Sequence, residues 1–205
     1  LILAPMPGVK TTTVLVMVAT GSKYENRQTN GLSHFLEHMF FKGTTKRPTA
    51  LAISSLLDSA GGEYNAFTSK EYTGYWAKAA SSQAELALDV ISDMLTGSLF
   101  SQEEIDRERG VIIEEINMYL DRPINRVGDV CETCLYGDTP AGWEVIGPKE
   151  NISAFSRKDF VEYYKSQYRS GNTIVVTAGD IPKNAARLVE KHFSAYAKGR
   201  AKPKP

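Results

Sequence analysis

Residues 30–44, NGLSHFLEHMFFKGT, set three ionisable side chains into an otherwise apolar helical stretch. Positions i, i+3 and i+4 of an α-helix share a face, so His34, Glu37 and His38 converge there. Phe35, Leu36, Met39 and Phe40 pack around them. The chain holds 3 histidines; the one outside this stretch, His192, lies in a polar segment. Burying two imidazoles and a carboxylate among Phe and Leu is costly unless each finds a partner. A fold for this chain must therefore either satisfy these groups as core histidines bonded to backbone carbonyls or gather them around an ion.

The rest of the composition is that of an ordinary globular protein. With 205 residues, 42% hydrophobic and 23% charged, the chain can bury one large core or two small ones. Lys+Arg and Asp+Glu both number 24, so nothing in the charge balance suggests a nucleic-acid footprint or a basic membrane-binding face. The apolar run VLVMVA at 14–19 is too short to span a bilayer and reads as a buried strand, so no membrane span is expected. Cys131 and Cys134 cannot build a disulfide framework; they read as reduced thiols in a cytosol-like compartment. A zinc site at these thiols would need a second Cys/His pair, which the sequence lacks.

Leu1 opens inside the apolar segment LILAPMPG, and the basic, Pro-containing AKGRAKPKP closes the chain. Residues 1–196 are expected to form one zinc-binding domain and 197–205 a linker-like tail. A cytoplasmic location is favoured, with a secreted or periplasmic one left open because the N-terminus is expected to be truncated.

Pattern and punctuation predict the elements. TTTVLVMVAT (11–20) reads as a central strand, 32–41 as a short helix closed by Gly43, and 49–62 as a helix capped by Thr49 and stopped by Gly61-Gly62. The aromatic stretch 63–79 reads as two paired strands. Capping boxes at Ser82/Glu85 and Ser101/Glu104 start two long helices, the second running to the DRP break at 121–123. Helices over 124–135, from Ser156/Asp159 to Tyr168 and over 182–197 follow, with a buried strand at 172–180 before the last. Strands separated by paired helices predict an α+β fold whose mostly antiparallel sheet is covered by helices on one face.

Two histidines at i, i+4 can grip one zinc ion, and the carboxylate between them can then reach a water on that ion. The H-x-x-E-H order is one of the known zinc-peptidase arrangements. A catalytic zinc takes three protein ligands and keeps one position open. The helix over 102–120 offers candidates, because Ile105, Glu108, Ile112, Glu115 and Tyr119 follow the spacing of a buried stripe. Glu114, flanked by Val111 and Met118 on its own stripe, is the rival, and periodicity favours Glu115 only modestly.

HFLEHMFFKGT, GGEYNAFTSKE and ERGVIIEEI together resemble the pitrilysin/insulysin family, which includes the mitochondrial processing peptidase. The similarity extends to YGDTPAGWEVIGP and NTIVVTAGDI, and so covers nearly the whole chain. The resemblance selects Glu115 over Glu114 as third ligand and matches Glu108 to a supporting acid of the site. It implies a zinc (Zn2+) endopeptidase with Glu37 as general base, acting on peptides or small unfolded proteins. Asn65 and Ala66 match a strand on which substrate pairs as an added strand, and Phe41 matches an aromatic position near the substrate groove. The family also implies a second homologous half that closes over substrate like a clam and contributes an arginine and a tyrosine to the site; neither that half nor its motif is seen in this sequence. That half would be the continuation of the chain, a separate subunit or a second copy. Relatives that have lost the metal motif act as structural or presenting subunits, a role that needs a broken motif or a missing third ligand; both are intact here.

Overall fold

In the computed structural model, which describes residues 1–201, five strands form one sheet. They are β1 (Ile2–Pro5), β2 (Thr11–Val18), β3 (Glu63–Thr68), β4 (Thr73–Ala80) and β5 (Thr173–Gly179), lying in the order β1-β5-β2-β4-β3. Every neighbouring pair is antiparallel except β1 with β5, so the sheet is mostly antiparallel, as the sequence predicts. β2 is central because its alternate residues Val14, Val16 and Val18 are fully buried on one face. Tyr75 and Ala77 of β4, and Val175 and Thr177 of β5, join them there. The period-2 side-chain alternation of a strand makes that face continuous across all three.

Among the described residues there are eight α-helices: α1 (Leu32–Met39), α2 (Ala50–Ser59), α3 (Ala84–Gly97), α4 (Gln102–Leu120), α5 (Pro123–Tyr136), α6 (Lys149–Ala154), α7 (Arg157–Gln167) and α8 (Ala185–His192). The core joins β2 and β4 to the apolar stripes of α1, α3, α4 and α7. Phe40, just past α1, sits at its centre, edge-on to Tyr75 at 5.2 Å and Phe100 at 5.4 Å. Tyr75 Oη and Tyr168 Oη share a hydrogen bond of 2.7 Å, so these two buried hydroxyls satisfy each other. The C-terminal end of α1 is thereby locked into the core.

Three of the predicted helix starts hold. Thr49 accepts from the Ala52 amide, Ser101 accepts from the Glu104 amide, and Ser156 with Asp159 forms a reciprocal box. Glu104 does not complete its box, because its carboxylate pairs with Arg107 one turn on. The box at Ser82 and Glu85 does not form. A 3-10 turn occupies Ser81–Gln83, α3 starts at Ala84, and Glu85 is drawn to Lys191 at 2.8 Å and His192 at 3.4 Å at the end of α8. That tertiary ion pair outcompetes the local cap. α8 is shorter than the predicted 182–197: it ends at His192, after which Tyr196 turns inward and its hydroxyl pairs with Thr173 Oγ1 at 3.0 Å. The strand β1 and the one-and-a-half-turn α6 carry no sequence signal of their own and form by docking on β5 and α4.

The amide of Ser170 donates to Ala197 O and that of Gly171 to Gly199 O, so the start of the 197–205 segment pairs with the loop before β5. Residues 202–205 of that segment lie outside the described residues. Among the described residues no helix is long and apolar enough to cross a membrane.

Candidate metal centre

Helix α1 begins without a side-chain cap of its own. Gly31 at its start has φ +99°, and a Cβ there would stand 2.8 Å from Ile146 O and 3.1 Å from Gly147 Cα. Glycine is needed at this point both for the left-handed backbone and for the close passage of the 144–147 segment. The helix's free amides are taken instead by Glu25, which is fully buried and accepts from Gly31 N at 3.0 Å and Ser33 N at 2.6 Å, with Asn30 Nδ2 at 3.1 Å. Burial pushes the Glu25 carboxyl up, and these hydrogen bonds oppose the shift. Ser33 Oγ meets Tyr163 Oη at 2.6 Å, which ties α1 to α7. The N-terminal turn carrying His34 is thus held from two sides.

His34 and His38 stand one turn apart, ring centroids 4.7 Å from each other. Their Nε2 atoms face one carboxylate oxygen on α4: Glu115 Oε2 lies 3.8 Å from His34 Nε2 and 3.6 Å from His38 Nε2. Ligand atoms of the three residues all lie within 4.8 Å of one another. These separations are too long for hydrogen bonds and close to the ~3.4 Å between ligands of a tetrahedral ion with bonds of ~2.0–2.1 Å. Glu114 points outward and is exposed, so the orientation of α4 decides between the two glutamates in favour of Glu115.

The protonation states suit such an ion. Burial, and next the neighbouring His38, lower the pKa of His34 to about 3, so its imidazole is neutral. Its Nδ1 is buried with no hydrogen-bond partner among the described residues, which leaves Nε2 as the working atom of the ring. His38 Nδ1 lies 2.9 Å from Glu108 Oε1; donating that N–H leaves the Nε2 lone pair directed at the shared centre. Glu108, 4% exposed, also meets Lys42 Nζ at 2.6 Å. Burial opposes its ionisation, but the bonds to His38 and Lys42 outweigh burial and hold its carboxyl below the usual range. Burial raises the Glu115 carboxyl, with His38 opposing and Glu108 reinforcing the shift. Two imidazoles and one carboxylate match zinc's preference for nitrogen and oxygen ligands.

Glu37 projects from the same face of α1. Its Oε2 accepts a hydrogen bond from the Thr68 hydroxyl at the end of β3, while burial raises its carboxyl despite that bond. His34, Glu37, Thr68 and Glu115, with Phe67 and Tyr119, line a cleft of about 300 Å³ whose far wall includes Asp129 and Glu144. The wall at Glu144 belongs to a segment carried by Lys70, whose Nζ donates to Ala141 O at 2.6 Å and Trp143 O at 2.9 Å and pairs with Glu132 at 2.6 Å.

Of the eight residues singled out in the sequence, His34, Glu37, His38, Glu108 and Glu115 come together here. Asn65 and Ala66 lie on β3, the strand at the open edge of the sheet beside the cleft. Asn65 Oδ1 accepts from the Ala66 amide at 2.8 Å. Phe41 is not among the residues that line the cleft and stacks on Tyr64, centroids 6.3 Å apart. Sequence reasoning missed Glu25, Lys42, Thr68, Lys70 and Asp129. Lys42, four residues after His38, was detectable as an i, i+4 neighbour; Glu25, Thr68 and Lys70 meet the site through loops and a strand end, and Asp129 reaches it from α5, so no fixed spacing relates any of them to the motif.

The profile of the insulinase family (peptidase family M16) matches residues 2–149. The chain is 40% identical over 202 residues to the "uncharacterized zinc protease YmxG" of Bacillus subtilis, covering 98% of this chain and 49% of that protein. It is 38% identical over 187 residues to the mitochondrial-processing peptidase subunit beta of Rattus norvegicus, covering 91% of this chain and 38% of that one. Among solved structures, a protease from Helicobacter pylori superposes with a TM-score of 0.91 at 25% identity, over 99% of this chain and 49% of the other. The chain therefore spans half or less of the length of these relatives, and its α+β fold is that of one half of a two-half structure. With the family profile matched across α1, β3 and α4, the chain belongs to the insulinase family, peptidase family M16.

Proposed function

We propose that this chain is the zinc-bearing half of an endopeptidase that hydrolyses peptides or small unfolded proteins. The observation that carries the reading is the convergence of His34 Nε2, His38 Nε2 and Glu115 Oε2, with His34, Glu115 and the Glu37 carboxylate lining one cleft. His34, His38 and Glu115 would hold the ion. When bound, zinc supplies Lewis acidity, acidifying water toward a pKa of ~7 and polarising a carbonyl. Glu37 accepts the proton of the attacking water and passes it to the leaving amine. Its partly buried, upward-shifted carboxyl suits both halves of that task. Glu108 fixes the His38 ring and so acts on the reaction through that ligand.

The open edge of β3 offers the backbone of Asn65 and Ala66 to an extended substrate, which would add as a further strand. The Asn65 side chain now occupies the Ala66 amide and would have to rotate away. Residues 1–196 form the working domain in this reading. A second homologous half would enclose the substrate and exclude water from it; the half-length match of this chain to its relatives supports that reading.

The test is Glu37→Gln in the zinc-loaded protein. Bound zinc should stay at one per chain while peptide hydrolysis falls by ~10²–10⁴, the range for general acid–base catalysis. Hydrolysis within a fewfold of wild type would remove Glu37 from the role.

A further inference from the structure

A glutamate side chain has three rotatable bonds, and a proton acceptor on a helix face gains its efficiency from being held in one arrangement. Among the described residues, one side-chain hydrogen bond to Glu37 is recorded, and its donor is Thr68 Oγ1. The bond spans two elements, from the last residue of β3 to the middle of α1. It engages Oε2 and leaves Oε1 as the oxygen available to take a proton.

Thr68 is itself fixed on every side. It pairs with Thr73 across β3 and β4. The preceding Phe67 lies over Gly74 so closely that a Cβ there would meet Phe67 Cζ at 2.2 Å. The following Ser69 closes a tight turn, its amide donating to Tyr72 O at 2.9 Å and its Oγ to the same oxygen at 2.8 Å. Ser69 O packs against the bare face of Gly21, where an added Cβ would stand 2.1 Å away, and accepts from Ser22 N at 3.3 Å. Lys70 O accepts from Lys23 N at 2.8 Å. A hydroxyl on so constrained a backbone is a fixed donor rather than a mobile one.

We propose that Thr68 is a positioning residue whose hydroxyl holds the Glu37 carboxylate in the orientation that accepts the proton. The inference rests on the reading of Glu37 as general base. Thr68 touches neither the candidate ligands' nitrogen atoms nor Glu115 by any recorded bond, so its removal should leave metal binding alone. A purely structural tie between β3 and α1 would behave differently, loosening α1 and with it the zinc.

The experiment compares Thr68→Val, which keeps the branched shape and removes the hydroxyl, with Thr68→Ser, which keeps the hydroxyl. Both are measured in the zinc-loaded protein beside Glu37→Gln, using an unstructured peptide as substrate. Thr68→Val should lower kcat by about tenfold or more with KM and zinc content unchanged, since misplacement of a catalytic group by ~1 Å costs up to ~10²-fold. Thr68→Ser should return kcat to within about threefold of wild type. Crystals of zinc-free Thr68→Val should show the Glu37 carboxylate in a different rotamer, a readout independent of activity. Wild-type kcat in Thr68→Val, an unmoved Glu37, or a loss that serine does not restore would each overturn the inference. Loss of zinc together with kcat would also overturn it, in favour of the structural tie. Wild-type hydrolysis by Glu37→Gln would instead sink the general-base reading, and this inference with it.

Discussion

His38 Nδ1 and Glu108 Oε1 lie 2.9 Å apart, and Lys42 closes the far side of the same carboxylate at 2.6 Å. Glu108 is buried in a helix whose register would otherwise call for an apolar side chain there, so its two partners explain why it is tolerated. Replacing Glu108 by Gln keeps the shape, weakens the orienting bond to His38 and leaves Lys42 without its counter-charge. Zinc affinity should fall by ~10–100-fold, the usual cost of losing a partner of a metal-binding histidine. Competition titration against a chromogenic chelator measures it; an unchanged dissociation constant would detach Glu108 from the site.

Glu115 and Glu114 are adjacent on α4, but Glu115 faces the histidines while Glu114 is exposed to solvent. Glu115→Gln should lose stoichiometric zinc, while Glu114→Gln should retain it and change stability by no more than ~0.5 kcal/mol. Elemental analysis after gel filtration separates the two. The reverse pattern would mean that another group completes the site.

Glu25 is the side chain that answers the free amides of α1, and it does so from outside the helix. Glu25→Ala should strand the amides of Gly31 and Ser33, at about 1–3 kcal/mol for each buried donor left unpaired. Urea unfolding of the zinc-free protein reads this directly, with the slope of the transition unchanged. Because His34 follows Ser33, zinc affinity should weaken in the same variant. Full stability in Glu25→Ala would show that the helix start is held by Tyr163 and Gly31 alone.

Lys70 gathers the carbonyls of Ala141 and Trp143 and the carboxylate of Glu132 from the turn between β3 and β4. Lys70→Met should free the 137–147 segment and so loosen the cleft wall at Glu144, leaving the histidines untouched. Hydrogen exchange at the amides of 141–147 should quicken severalfold while zinc content stays at one per chain. Unchanged exchange would assign the holding of this segment to its other ties, Asn30 to Glu144 O at 3.1 Å and Thr133 to Gly142 O at 2.8 Å.

Zinc removal should destabilise the fold, since an ion bound by the native state alone adds RT ln(1 + [L]/Kd), about 4 kcal/mol at a thousandfold excess over Kd. A chelator should therefore lower the thermal midpoint of the wild type and leave His38→Ala unmoved. Equal shifts in both proteins would place the chelator's effect elsewhere.

The local grammar of this chain decided most of its secondary structure and the heart of its site. Helical periodicity alone put His34, Glu37 and His38 on one face, and β-branched alternation alone made β2 the central strand. Both signals are short in range, which is why one sequence carries them. Periodicity left the third candidate ligand as a choice, which only the family resemblance narrowed to Glu115: Glu115 and Glu114 each fit a stripe of α4, because the second half of that helix is apolar on several faces. The packing of α4 on α1 made the selection by burying one face and exposing the other. Glu85 shows the converse, a sound local cap signal overridden when folding brought Lys191 and His192 within reach. Glu25, Thr68 and Lys70 were beyond sequence reading altogether. Each meets its partners through a turn or a strand end, where no fixed spacing relates the two positions. The sequence determined which side chains could do chemistry; the tertiary structure decided which of them hold the others still, because hydrogen bonds of a few ångströms between distant segments exist only once the core has closed.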